Sequence, residues 1–207
     1  MVPTRQKLRA ETHARVVAAA SRLFLERGYR ATTVRDVAAA AGVSVGTVMT
    51  VGDKDALLVA TFDALISDLQ DGLPVPDSEP ARPGAPGDVV DAVLAVVGPF
   101  LTLFAEHLDL AREYGAVLMS GRHPGGVFGE LVPGFLARIQ AALERSPDGP
   151  RDPAAGARTI YLAYLGSLFA WAGQGNPDAD AAREALRDVI TFVAGRDAAR
   201  PTPGASS

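Results

Sequence analysis

An all-α fold of about nine helices is predicted by three features of the 207-residue chain. Apolar residues recur every three to four positions along most of its length. No stretch alternates apolar and polar residues as a half-buried strand does, and clusters of glycine and proline separate one helical pattern from the next. With 48% hydrophobic and 21% charged residues the composition is that of an ordinary globular protein with a core to bury. The chain has no cysteine, which excludes thiol catalysis, iron-sulfur clusters and cysteine-ligated zinc.

The first helix is expected at about 10–27, where Val16, Ala20, Leu23 and Phe24 fall at helical spacing and Gly28 supplies a left-handed stop. Thr33 then caps a second helix, with the carboxylate of Asp36 three positions on and Val34, Val37, Ala38 and Ala41 as its apolar stripe; Gly42 ends it. Ser44 caps a third element from Val45 to about Val51. Two short helices joined by a tight glycine turn read as a helix-turn-helix. A fourth helix follows from Lys54 to about Gln70, with Leu57, Leu58, Phe62, Leu65, Ile66 and Leu69 on its apolar side. Pro74, Pro76, Pro80, Pro83 and Pro86 forbid regular helix and predict a mobile loop at 74–87. Beyond it, helical patterns cover about 88–106, 109–120, 131–145, 153–173 and 179–194, and the tail from Arg196 to Ser207 has too little to bury and is expected to be disordered.

The longest apolar stretches, Ala92 to Ala105 and Ile160 to Gly173, are shorter than the roughly 20 residues that span a bilayer, and Pro99 interrupts the first. No membrane span is expected. Near the amino terminus the apolar run Val16 to Ala20 is cut by Arg22 and lies beyond Glu11 and His13, so it makes a poor signal peptide, and a cytoplasmic protein is expected. Charge is uneven: residues 1–52 hold eight basic residues against three acids, a net of +5, so the rest of a chain with net charge −4 carries −9. A basic head on an acidic body suits a polyanion partner for the head alone, because counterion release rewards local positive charge.

The run Val17-Ala-Ala-Ala-Ser-Arg-Leu-Phe-Leu-Glu-Arg-Gly-Tyr29, then Thr32-Thr-Val-Arg-Asp-Val-Ala-Ala-Ala-Ala-Gly-Val-Ser44, then Gly46-Thr47 and Lys54 with Leu57, resembles the TetR family of bacterial transcriptional regulators over about the first 58 residues. The resemblance implies a homodimer. Its amino-terminal three-helix domain, homeodomain-like, would bind DNA through the second and third helices, and its carboxy-terminal helical bundle would pair with a twin and enclose a small-molecule pocket. This divides the chain into a DNA-binding domain at 1–52, a ligand-binding and dimerisation domain at 53–195, and the tail at 196–207.

The physical reading of the same residues agrees. Thr33 and Arg35 open the second helix, whose free amides make a phosphate site. Ser44, Val45, Gly46, Thr47, Met49 and Thr50 form the surface of the third helix, where Val45 and the threonine methyls suit thymine methyls, the hydroxyls reach phosphates, and Gly46 lets the backbone approach the duplex. Lys54 is a further expected phosphate contact, and Arg5, Lys7 and Arg9 form an arm that either follows the backbone or is solvated. The segment Gly46-Thr-Val-Met-Thr-Val-Gly-Asp-Lys54 departs from the family in lacking its aromatic-rich ending and the phosphate-contacting tyrosine. Glycine and β-branched residues also make it a poor intrinsic helix. Packing of Val48 and Val51, or DNA itself, is expected to order it.

The eighth helix is apolar nearly all round and must be buried all round. Either it lies in one deep core, or Tyr164 and Leu168 join Leu186, Val189, Ile190 and Val193 of the ninth helix in a two-fold four-helix interface; the dimer is the expectation. Phe100, Phe104, Tyr114, Met119, Phe135, Tyr161 and Trp171 are, taken singly, core residues, and taken together the expected apolar lining of a pocket. His13, His107 and His123 have no zinc spacing, and no nucleophile, base and orienting group converge. No metal, cofactor or catalytic residue is therefore expected. The sequence predicts a ligand-responsive repressor that releases a palindromic operator when a small apolar molecule binds. The competing reading is a partner-binding or ligand-sequestering module that has lost operator recognition.

Overall fold

The computed structural model describes residues 5–72, 88–122, 127–145, 149–173 and 179–195. Among the described residues there are nine helices and no strand: α1 (Arg5–Arg27), α2 (Val34–Ala41), α3 (Val45–Val51), α4 (Lys54–Gly72), α5 (Asp88–Glu106), α6 (Leu108–Met119), α7 (Val127–Glu144), α8 (Pro153–Ala172) and α9 (Ala179–Val193). The expected loop at 74–87 and the expected tail at 196–207 lie outside the described residues. Contacts gather the chain into two compact units, Met1–Leu69 with Glu106–Glu130, and Gln70–Ala105 with Leu131–Ser207.

In the first unit α1 lies against α2 and α3. Its face of Val16, Ala20, Leu23 and Phe24 is wholly buried, together with Val37 of α2, Val48 of α3 and Leu57, Leu58 and Phe62 of α4. Two internal polar contacts stitch this core: Ser21 Oγ donates to Thr61 Oγ1 at 3.0 Å, and the buried Thr32 hydroxyl donates to the Gly28 carbonyl at 2.9 Å, closing the end of α1. Helix α1 starts five residues earlier than the apolar pattern indicates. Arg5, Lys7, Leu8 and Arg9 are good helix formers, so the helix runs on past its last buried turn with an exposed end.

The turns are set by caps. Thr33 and Asp36 form a reciprocal capping box on α2, with Thr33 N–H donating to the carboxylate at 2.8 Å and Asp36 N–H donating to the Thr33 hydroxyl at 3.2 Å. Gly42 stops α2 in the left-handed region, φ 65°, which a residue with a β-carbon enters only at a cost. Ser44 accepts the Thr47 N–H at 3.1 Å to open α3, and α2 and α3 meet at a bend of 101°. That is the helix-turn-helix corner. Val48 is fully buried and Val51 half-buried, so packing holds α3.

In the second unit α5, α7, α8 and α9 contribute Val93, Val97 and Leu101, Ile139 and Leu143, Ile160, and Leu186 and Ile190 to the core. Gly156 allows close packing here, since a β-carbon would stand 3.0 Å from Leu143 and 3.1 Å from Val193. Asp152 caps α8 by accepting the Ala155 N–H at 2.9 Å, and Pro153 takes the first turn, where its missing N–H costs nothing.

Two sequence expectations change. Pro99 does not interrupt α5: the carbonyl it frees belongs to Ala95, an exposed residue, so the lost bond falls on the solvated side. Val89–Glu106 is consequently one continuous segment long and apolar enough to cross a membrane, and half of it is buried inside the protein, as in a core helix. Helix α8 is also not buried all round within one chain, because Leu162 is 66% and Phe169 47% exposed.

Gly46 and Gly52 flank the same short helix under opposite constraints. A β-carbon at Gly52 would lie 2.8 Å from that of Ala56, whereas at Gly46 the nearest atom would be Ser44 Oγ at 3.7 Å. Gly52→Ala is expected to destabilise the protein by about 1–3 kcal/mol through overpacking. Gly46→Ala should stabilise it by up to about 1 kcal/mol through helix propensity. Urea unfolding midpoints of the two variants, shifted in opposite directions, are the check.

Candidate nucleic-acid interface

The surface assembled by α2, the turn and α3 is built outward from the buried Val37, Ala38, Ala41 and Val48. Opposite them, Thr33, Arg35, Ser44, Val45, Gly46, Met49 and Thr50 are exposed and Thr47 is half-buried. Val45 at 42% and Met49 at 52% are unusually open for their types. The residues named from sequence on these two helices therefore share one outward face.

Their hydroxyls are engaged locally. Thr33 Oγ1 donates to Asp36 at 2.6 Å, the Ser44 and Thr47 hydroxyls meet at 2.9 Å, and Thr50 Oγ1 donates back to the Thr47 carbonyl at 2.7 Å. The Thr33 hydrogen bonds hold the Asp36 carboxyl below its ordinary value, so a negative charge sits at the start of α2. What the face offers directly is a set of methyl and thioether groups around a bare backbone at Gly46.

Lys54 is placed by a cluster that the sequence did not reveal. Its ammonium lies 4.1 Å over the centre of the Tyr29 ring, a cation–π contact. Burial lowers its pKa against the opposing pull of the Glu113 and Asp55 carboxylates. The Tyr29 hydroxyl donates to Asp55, Arg122 approaches Asp55 at 3.8 Å, and Arg30 pairs with Glu113 at 2.6 Å. Phe62 stacks on Tyr114 with ring centres 4.3 Å apart. These partners lie from 25 to more than 80 residues apart in the chain, beyond any helical period. The only local hint was Tyr29 itself, an aromatic residue just past the stop of α1. Lys54 is thus half-buried and shares its charge with two carboxylates rather than standing free for phosphate.

The remaining residues named from sequence fall as follows. Tyr114 and Met119 belong to the first unit, Tyr114 buried and Met119 74% exposed at the end of α6. In the second unit Phe100, Phe135 and Trp171 are buried and Phe104 and Tyr161 half-buried. Phe135 meets Phe100 edge-on at 5.0 Å and Tyr161 at 5.9 Å, which brings those three together. On the last two helices Tyr164, Leu186 and Ile190 are buried by the chain's own core, while Leu168, Val189 and Val193 are half-buried.

The Tyr29 hydroxyl is raised above its ordinary pKa of 10.0, first by burial, then by its bond to Asp55 and by the negative charges of Asp55, Glu113 and Asp53. In the unfolded chain the phenol ionises near its ordinary value, so the folded state is disfavoured once pH passes about 10. Stability at alkaline pH is expected to fall less steeply in Tyr29→Phe than in the unaltered protein. Thermal melts between pH 9 and pH 11, on the order of the tyrosine range, would show equal slopes if this cluster were not formed.

Comparison with known proteins bears on this surface. Residues 16–61 match the sequence model described as bacterial regulatory proteins, tetR family. No curated protein matches the chain. Among solved structures, the Thermus thermophilus FadR, a TetR-family transcriptional repressor in complex with lauroyl-CoA, is 21% identical, with a TM-score of 0.64 over 94% of this chain and 100% of that one. RolR in complex with resorcinol is 16% identical, with a TM-score of 0.65 over 98% and 100%, and the SmeT-triclosan complex is 20% identical, with a TM-score of 0.52 over 95% of each. Identities this low carry the fold alone. Residues 16–61, which hold the helix-turn-helix, are thus similar to the tetR-family sequence model, and the chain as a whole shares the fold of a solved TetR-family repressor.

Proposed function

We propose that the protein is a cytoplasmic, homodimeric transcriptional repressor that releases a palindromic operator when a small apolar molecule binds its carboxy-terminal helices. The observation that carries this reading is the presentation of α3. A short helix, capped by Ser44 and pinned by Val48, turns Val45, Gly46, Met49 and Thr50 outward from a head with net charge +5. Base contact by Val45, Met49 and the Thr47 and Thr50 methyls would favour thymine-rich positions. Phosphate contacts would come from Thr33, Arg35 and Ser44, with Lys54 joining them only on leaving the Tyr29 ring. The effector half of the proposal draws on the solved structures of the same fold that hold lauroyl-CoA, resorcinol and triclosan. Functionally, residues 1–52 read DNA, residues 53–195 bind the effector and the twin subunit, and 196–207 form a tail.

For the dimer, α8 and α9 pack together and leave Leu162, Phe169 and Phe192 exposed, the last at 71%. Gly166, one turn after Leu162, adds an open backbone with nothing near its missing β-carbon. An isologous four-helix interface through these residues, flanked by Leu168, Val189 and Val193, would bury the face that one chain leaves uncovered. Tyr164, Leu186 and Ile190 would support it from behind. Two heads so paired would meet half-sites roughly 34–36 Å apart or a little more.

A second reading is favoured by one observation: the hydroxyls of Thr33 and Thr50 donate within the chain and those of Ser44 and Thr47 bond to each other, which leaves one proton of the four uncommitted. A face poor in free donors suits a protein partner, or a module that only sequesters ligand. Selection of random duplexes by the purified protein, followed by a salt series on the enriched sequence, separates the two. The regulator is expected to enrich a palindrome with steep salt dependence; weak binding without sequence preference would remove that reading. Gly46→Ala, which should make the fold more stable, is expected to bind the enriched duplex at least about tenfold more weakly, a loss of roughly 1.4 kcal/mol or more. Leu162→Asp combined with Phe192→Asp is expected to sediment as a monomer, and a dimer persisting in that variant would move the interface elsewhere.

A further inference from the structure

Trp171 is the only tryptophan of the chain. It lies in the last turn of α8, 4% exposed, and its indole Nε1–H meets no acceptor among the described residues. A buried tryptophan N–H usually finds a partner, because leaving it unmade carries the whole cost of its desolvation. Tyr164, two helical turns earlier, shares its face of α8, roughly 10 Å along the helix axis. The Tyr164 ring lies 5.8 Å from Phe135, which meets Phe100 at 5.0 Å and Tyr161 at 5.9 Å. Tyr161 is half-buried, and burial raises its hydroxyl above the ordinary tyrosine pKa. The second unit therefore carries a cluster of flat rings and, further along the same helix face, one buried donor that no acceptor meets among the described residues.

Each part of this arrangement selects a chemical feature. Edge-on and tilted rings favour a planar aromatic guest. An unmet N–H selects an oxygen acceptor. None of the five side chains is a cation, and a carboxylate buried without one would be driven to its neutral form. We infer that this face of α8 is the effector site of the regulator proposed above, on which reading the inference rests, and that its ligand is an uncharged aryl carbonyl compound whose oxygen accepts the Trp171 Nε1–H bond.

A matched pair of probes tests it. Acetophenone and ethylbenzene have nearly the same shape and differ in a carbonyl against a methylene. A purely apolar site prefers ethylbenzene, since water gives up the carbonyl reluctantly. A site with a waiting donor reverses that order. In the nitrogen-15-labelled full chain the indole N–H gives a single resonance, because there is one tryptophan. Acetophenone is expected to move it saturably downfield and to bind at least about tenfold more tightly than ethylbenzene. In Trp171→Phe, which keeps an aromatic ring but has no N–H, ethylbenzene should become the tighter ligand. The inference is overturned if ethylbenzene binds the unaltered protein as tightly as acetophenone, if acetophenone leaves the indole resonance in place, or if that resonance already stands at a hydrogen-bonded position in the free protein. The first two measurements need no variant, so misfolding of Trp171→Phe cannot mask the result. Operator binding is scored on the same preparations. An intact operator complex with a failed indole test rejects the aryl carbonyl site alone, and lost operator selection with a positive indole test rejects the regulator alone.

Discussion

Everything outward-facing on the helix-turn-helix depends on one buried side chain. Helix α3 has seven residues, of which Gly46 and five β-branched positions disfavour helix, and isolated helices shorter than about 12–15 residues are marginal in water. Val48 is its only fully buried residue. Insertion of that side chain where α3 meets α1 and α2 fixes the rotation of the helix about its axis, and with it which residues face solvent. The Ser44 cap and the tight approach at Gly52 fix its two ends. A fixed outward face is thus obtained from a segment with little helical tendency of its own.

Packing and charge have different tasks around it. The pairs Arg30–Glu113 and Arg122–Asp55 each include a strongly exposed arginine, and ion pairs of that kind contribute about 0–1 kcal/mol. Attachment of α6 within the first unit therefore rests mainly on the stacked Phe62 and Tyr114 and on buried Leu110 and Val117. The charges instead decide where Lys54 resides. Drawn onto the Tyr29 ring between Asp55 and Glu113, its ammonium becomes part of a neutralised cluster. Arg30, one of the basic residues counted in the head's +5, is likewise paired with Glu113, so that sum overstates the free positive charge at its surface.

The local features of the fold were legible in the sequence because their causes are local. Thr33 with Asp36, Gly42 and Ser44 each act within four residues, and each bound the helices where the residues indicated. The outward face of α2 and α3 could be read for the same reason. Helix α1 began earlier than expected because apolar spacing marks burial, and Arg5 to Arg9 are helical without being buried. Pro99 was misjudged because its effect depends on whether the carbonyl of Ala95 faces solvent, which only the fold decides. The Tyr29, Lys54, Asp55 and Glu113 cluster joins residues from three parts of the chain, and no period connects them. On α8 and α9 the sequence marked the strongest apolar positions, yet Tyr164, Leu186 and Ile190 fill the protomer's own core, and the open positions are Leu162, Phe169 and Phe192.

The two compact units are interleaved along the chain: the first takes residues 1–69 and returns for 106–130, and the second takes 70–105 and resumes at 131. This has a consequence for biosynthesis. As the polypeptide leaves the ribosome, the head emerges long before Glu113, Tyr114 and Arg122, which complete its unit. The apolar α5 emerges before any of α7, α8 and α9, the helices that share its core. For that interval the apolar nascent segment lacks the α7, α8 and α9 side chains with which it shares a core in the finished fold.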